Sequence, residues 1–134
     1  MRTKQISSTS NADLKEIRKL HQRKERFTKK LYILEGIRIV GDALQHNAPV
    51  ETLIYSPDLL TSDFAKNLIT DYGDRVEQVL ELSEAAFRSL AKKDNPQGIA
   101  AVARMTYLSL NEIEIGKDDI WVVLDTIRDP GNLG

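Results

Sequence analysis

Short apolar runs alternate with longer segments of helical periodicity through most of this chain, and that rhythm restricts the folds open to it more than any other feature. The run "LYIL" (31–34) reads as a buried strand, and "GIRIVGDALQHN" (36–47) as a helix with Ile37, Val40 and Leu44 on one face. A strand "VETLIY" (50–55) ends at Ser56-Pro57, and a helix "SDFAKNLITDYG" (62–73) turns Phe64, Leu68 and Ile69 inward and stops at Gly73. "RVEQVLEL" (75–82) is a further strand, Ser83 caps the helix "EAAFRSLAKK" (84–93), and "GIAAVARM" (98–105) is the last strand of the body. Strands alternating with helices of this length predict an α/β layered domain with a parallel or mixed sheet.

Both flanks differ from the body. Residues 106–119, "TYLSLNEIEIGKDD", are acidic and aperiodic and read as a linker; "IWVVL" (120–124) then reads as a buried strand that opens another domain. At the front, Ser10 with Asp13 three residues on suggests an N-cap for a helix starting near residue 12. Leu14, Ile17 and Leu20 form a narrow stripe on it, fit to dock on the body along one edge. Lys15, Arg18, Lys19, Arg23, Lys24 and Arg26 occupy much of the remaining surface and are candidate contacts to a polyanion. Charge supports this reading, because the formal net charge of −1 hides a split. Residues 1–30 hold ten Lys/Arg against three Asp/Glu, and the rest of the chain is net acidic. The organisation expected is thus a basic helical extension (1–30), an α/β domain (31–106), a linker (107–119) and the start of a second domain (120–134).

Composition removes several classes of function. Zero cysteines exclude disulfides and thiolate metal sites and fit a cytoplasmic location. Apolar runs are too short for a membrane-spanning helix. His21 and His46 stand apart with no metal-ligand spacing, and His46, at a helix C-terminus, suits a role in satisfying free carbonyls. No metal site is expected, and no nucleophile elbow or phosphate-binding glycine motif occurs.

Two loops carry more information. In "LEGIR" (34–38), Gly36 lets a strand-to-helix turn approach a ligand closely, the helix start offers free N–H groups, and Arg38 adds charge one turn in; an ordinary β–α turn with Glu35 near the helix start is the plainer alternative. In "KKDNPQG" (92–98), Asn95-Pro96 forces a turn and the Gln97 amide is able to read base edges or ribose hydroxyls. If both loops lie at the same edge of the sheet, they line one groove. A third loop, "LDTIRDPGNLG" (124–134), places Asn132 between glycines after a strand, where open α/β sheets hold ligands; it also makes a good tight turn.

The stretch "VVLDTIRDPGNLG" closely resembles the first motif of the SpoU/TrmH branch of SPOUT RNA methyltransferases. "STSNADLKEIRKLHQRKERFTKKLYILEGIRIV" and "NPQGIAAV" resemble the opening and closing segments of that family's substrate-binding domain. The resemblance implies a ribosomal-protein-like α/β RNA-binding sandwich followed by the first strand of a truncated trefoil-knot domain. It implies an enzyme that uses S-adenosylmethionine to methylate ribose 2′-hydroxyls in ribosomal or transfer RNA, as a homodimer. Asn132 is then an active-site residue, Asp129 and Gly134 shape its loop, and Glu35, Gly36, Arg38, Asn95 and Gln97 lie on the RNA-facing edge. The family's catalytic arginine, expected a few residues past Gly134, is absent from this chain. The 134 residues alone are therefore expected to bind no cofactor and transfer no methyl group. A stand-alone RNA-binding module, with residues 120–134 folded into the body, is the alternative, and a protein-interaction domain with a merely solvated basic leader is a third.

Overall fold

The computed structural model describes residues 3–126 and 128. Five strands, β1 (Thr3–Ile6), β2 (Leu31–Glu35), β3 (Val50–Tyr55), β4 (Gln78–Leu82) and β5 (Ile99–Arg104), form one sheet in the order β1-β4-β3-β5-β2. β1, β4 and β3 are parallel neighbours, whereas β5 runs antiparallel to both β3 and β2. Four carboxyl ends therefore share one edge of the sheet with the amino end of β5. This is the mixed α/β sheet that the alternation predicts.

Five helices cover the sheet: α1 (Ala12–Lys19), α2 (Arg23–Lys29), α3 (Ile37–Gln45), α4 (Asp63–Tyr72) and α5 (Glu84–Leu90). Strand alternation sends successive side chains to opposite faces, so the central strands feed two cores. On one face Ile54, Leu80, Leu82 and Val102 pack with Leu14 and Leu20 of the leader and with Phe87 and Leu90 of α5. On the other, Leu53, Val79, Ile99 and Ala101 meet Val40 and Leu44 of α3 and Ala65, Leu68 and Ile69 of α4. Three layers result, α on β on α.

Several sequence expectations change in detail. The cap of α1 is Asn11, whose side chain accepts from the N–H groups of Asp13 (2.9 Å) and Leu14 (3.4 Å); Ser10 instead bonds Ser8. The single basic helix is two helices. The break lets Leu20 bury, and Arg26 Nη1 donates back to the freed carbonyls of Leu20 (3.1 Å) and His21 (2.8 Å). Phe64 does not point inward: it is 49% exposed, and Ala65 takes the inward position. Its ring lies against Gly41, where an added Cβ would come within 3.3 Å of it.

β1 was not foreseen. It places residues 3–6 at the edge of the sheet beside β4, so the leader belongs to the same layered body and not only to a docked helix. Residues 120–124 form no strand here, and Ile120 and Val123 are 93% and 89% exposed. A strand meant for burial on both faces needs pairing partners, and this segment pairs with none of the five strands. Asp129, Asn132 and Gly134 lie outside the described residues.

Candidate nucleic-acid interface

The two loops singled out in the sequence meet at the carboxyl edge. Gly36, between β2 and α3, has φ 115° and ψ 156°, a region essentially closed to residues with a side chain. Its N–H donates to the Ile99 carbonyl at 3.0 Å, which stitches the turn to the start of β5. Having no side chain, Gly36 cannot cap α3. Gln97 does so instead: its Oε1 accepts the Ile37 N–H at 3.0 Å. With Oε1 committed to an amide, the Nε2 group of Gln97 is left as a donor.

Glu35 braces the same junction. Its Oε2 accepts the backbone N–H of Lys92 at 2.9 Å, and its carbonyl accepts from Lys93 Nζ at 3.3 Å. The other carboxylate oxygen is buried without a protein partner. Glu35, Gly36, Arg38, Ile39, Asp42, Lys93 and Gln97 line a groove of about 200 Å³. Asn95 is exposed in the turn before buried Pro96 and is not among the lining residues.

A Cβ at Gly36 would lie 3.1 Å from Gln97 Oε1 and 3.2 Å from Lys93 Nζ. Both are ends of flexible side chains and can move aside, but the backbone strain stays. Gly36→Ala is expected to cost about 1–3 kcal/mol, read as a lowered urea midpoint, while the variant still folds cooperatively. An alanine variant as stable as the parent would show that Gly36 is not required by its backbone angles.

The leader's cations are less free than their number suggests. Lys19 and Lys29 both pair with Glu16 (2.5 and 2.7 Å) and hold its carboxyl down to about 2. Lys4 pairs with Asp13 at 2.6 Å. Arg18 donates to the Thr9 carbonyl (2.6 Å) and to Ser89 Oγ (3.1 Å), and Arg26 is taken up by the helix break. Arg23 lies over the Phe27 ring at 5.4 Å. Lys15 and Lys24 are exposed with no partner among the described residues, so of the six leader candidates these two, with Arg23, are best placed to meet an anion.

Other titratable groups serve the fold. His46 Nδ1–H donates to the Asp42 carbonyl (2.8 Å), as its place at a helix end implies, and the ring Nε2 of His21 bonds the Leu90 carbonyl (2.7 Å). Burial and a hydrogen bond to Glu81 push the Tyr55 hydroxyl up to about 12. No group of three His, Cys, Asp or Glu able to hold a metal ion occurs among the described residues, and no described helix is long and apolar enough to cross a membrane.

Residues 11–101, from the cap of α1 into β5, match the MRM3-like substrate binding domain. The chain belongs to this family. The match takes in both loops of the groove and all five helices. Similarity runs beyond the MRM3-like segment as well. The 23S rRNA (guanosine(2553)-2′-O)-methyltransferase RlmP of Bacillus subtilis (strain 168) is 33% identical over 98% of this chain, which spans about half of that relative's length, 48%. A crystal structure of an RNA 2′-O ribose methyltransferase superposes with TM-score 0.72 and 31% identity over 97% of this chain and 48% of the other. The AdoMet-bound rRNA methyltransferase of Sinorhizobium meliloti gives TM-score 0.68 and 29% identity over 83% of this chain and 40% of that one. The SpoU/TrmH resemblance carried by the three motifs is thereby established.

Sequence reading missed three members of the groove. Asp42 was recoverable, since it follows Arg38 by four positions on α3 and shares its face. Ile39 lies off the Ile37, Val40 and Leu44 face and is 50% exposed. Lys93 was assigned to a helix C-terminus, whereas α5 ends at Leu90 and frees Lys93 to reach the Glu35 carbonyl.

Proposed function

We propose that this chain is the RNA-recognition part of an S-adenosylmethionine-dependent 2′-O-ribose methyltransferase acting on ribosomal RNA. One observation carries the reading: inside a substrate-binding domain, two sequence-distant loops converge on a groove whose glycine is held in a conformation other residues resist. Arg38, Lys93 and the Gln97 amide give that groove donors suited to phosphate and to base or ribose acceptors. Glu35 braces the loops, and Asn95 belongs to the approach, not to the groove. Ribosomal over transfer RNA is supported by the 23S rRNA named for the Bacillus relative. We infer a cytoplasmic location, with which the absence of cysteine agrees.

Cofactor chemistry belongs elsewhere in the whole protein. S-adenosylmethionine is supported by the AdoMet-bound Sinorhizobium structure. The groove does not fit it, because about 200 Å³ is below the roughly 300–1,000 Å³ of pockets that enclose ligands of that size. By sequence motif alone, Asn132 is an active-site residue with Asp129 and Gly134 shaping its loop, and a homodimeric trefoil-knot domain begins at 120–134. That Ile120–Leu124 stay outside the sheet favours this over a stand-alone module, which would fold them in.

RNA affinity, measured by filter binding across a salt series, tests the proposal. Log K should fall linearly with log[salt], and Lys15→Gln and Lys24→Gln should each lower the slope by roughly 0.7–0.9. No binding to ribosomal RNA fragments at low salt would overturn it. Incubation of this chain with labelled S-adenosylmethionine and RNA should transfer no label.

A further inference from the structure

At the other end of β2 from Gly36, two aromatic rings stand in solvent. Phe27 of α2 is 52% exposed and Tyr107 is 64% exposed, with ring centroids 6.5 Å apart and planes inclined by only 16°. The Arg23 guanidinium lies 5.4 Å from the Phe27 centroid, so an arginine plane, a phenyl ring and a phenol ring are brought into one cluster.

Backbone contacts hold this cluster in place. Lys30 ends α2 in the left-handed region (φ 54°), and its carbonyl accepts the Met105 N–H at 2.7 Å. That bond ties the exit of β5 to the start of β2, and Tyr107, two residues on, donates its hydroxyl to Met105 Sδ at 3.1 Å. Beside the rings a groove of about 440 Å³ is lined by Tyr32, Pro49, Arg104, Met105 and Tyr107.

We propose that Phe27 and Tyr107 form a stacking platform for an unpaired base of bound RNA, a second contact beyond the Gly36–Gln97 groove; this rests on the RNA reading above. Charge selects the occupant. Arg23 and Lys24 precede Phe27 by four and three positions on α2 and so share its side, Lys30 ends the same helix, and none of the three has an acidic partner among the described residues; Glu25, the one acid on α2, is paired with Lys29 at 3.7 Å. An apolar protein surface has no use for three uncompensated cations at its rim, whereas a base carries both a π-face and a phosphate. Position agrees as well. β2 is an edge strand, and the six steps from Lys30 across it to Gly36 separate the platform from the groove by roughly 20 Å at about 3.3 Å per residue. One extended RNA strand laid along that edge reaches both.

The test uses this chain and a short oligouridylate carrying one 2-aminopurine, whose fluorescence falls when it stacks. Binding should quench it. Phe27→Leu and Tyr107→Leu keep apolar volume but remove the π-face, and each should weaken binding about 5- to 150-fold with the salt slope unchanged. Phe27→Tyr and Tyr107→Phe should restore it. Leucine variants that bind and quench like the parent, while Arg38→Glu weakens binding, overturn the platform and leave the RNA reading standing. Leucine variants that lower the melting temperature without weakening binding assign the rings to folding and overturn it too. A parent chain that binds no RNA at low salt removes both readings together.

Discussion

Replacing Gly98 by alanine is expected to cost this domain roughly 2–5 kcal/mol, seen as a large drop in the urea midpoint at unchanged m-value. Gly98 has φ +75°, and a Cβ there would sit 2.7 Å from the Leu59 carbonyl carbon and the Leu60 nitrogen, and 2.8 Å from Leu59 Cβ. Two of those three atoms are backbone, so no rotamer change relieves the contact. They are also fixed in place. The Gly98 carbonyl accepts the Ser56 N–H at 2.9 Å, and the Ser56 carbonyl accepts from Leu59 (3.1 Å) and Leu60 (2.9 Å). The clash therefore meets a turn already closed on itself. Here the case differs from Gly36, whose obstructing atoms are mobile side-chain ends. The functional consequence follows from adjacency: moving Gly98 moves Gln97, and with it the cap that Gln97 supplies to α3. An alanine variant within about 0.5 kcal/mol of the parent would show that the 56–60 turn yields, and would sink the account.

What the sequence made legible was local. Strand and helix periods, the Ser83 cap, the His46 carbonyl contact and the two informative loops are all written within a few residues of where they act. The convergence of Gly36 with Gln97 was also reachable, because α/β order places strand-end loops on a shared edge. What escaped was set by distant partners. β1 shows only Ile6 as a buried residue, and its meaning comes from β4: Thr3 sits opposite Val79. The need for glycine at 98 comes from Leu59 and Leu60, which nothing near residue 98 announces. Counting lysines and arginines in the leader gave a basic surface, but the count could not show that Lys29 reaches back to Glu16 or that Arg18 crosses to Ser89. Charge density is a property of sequence, and free charge is a property of the fold.

That distinction decides how the leader has to be tested. Leu14→Ala is expected to destabilise the domain by about 2–5 kcal/mol, as for other fully buried leucines. Leu14 has no exposure, and Leu20, a turn and a half on, is 3% exposed; both share one core with Ile6, Leu80, Phe87 and Val102. Neighbours from four separate elements leave little scope for collapse around the cavity, which favours the upper part of that range. Deleting residues 1–30 goes further, since it removes β1, its pairing with β4 and both leucines, and exposes Phe87 and Leu90 beneath them. Such a deletion should abolish cooperative unfolding, so lost RNA binding after it would report a lost fold and say nothing about phosphate contacts. Lys15→Gln and Lys24→Gln avoid the confusion, because both side chains are exposed and neither is tied into the body. If residues 31–134 alone unfold cooperatively with a midpoint near that of the whole chain, the leader is a dispensable arm after all, and its leucines contribute far less than their burial indicates.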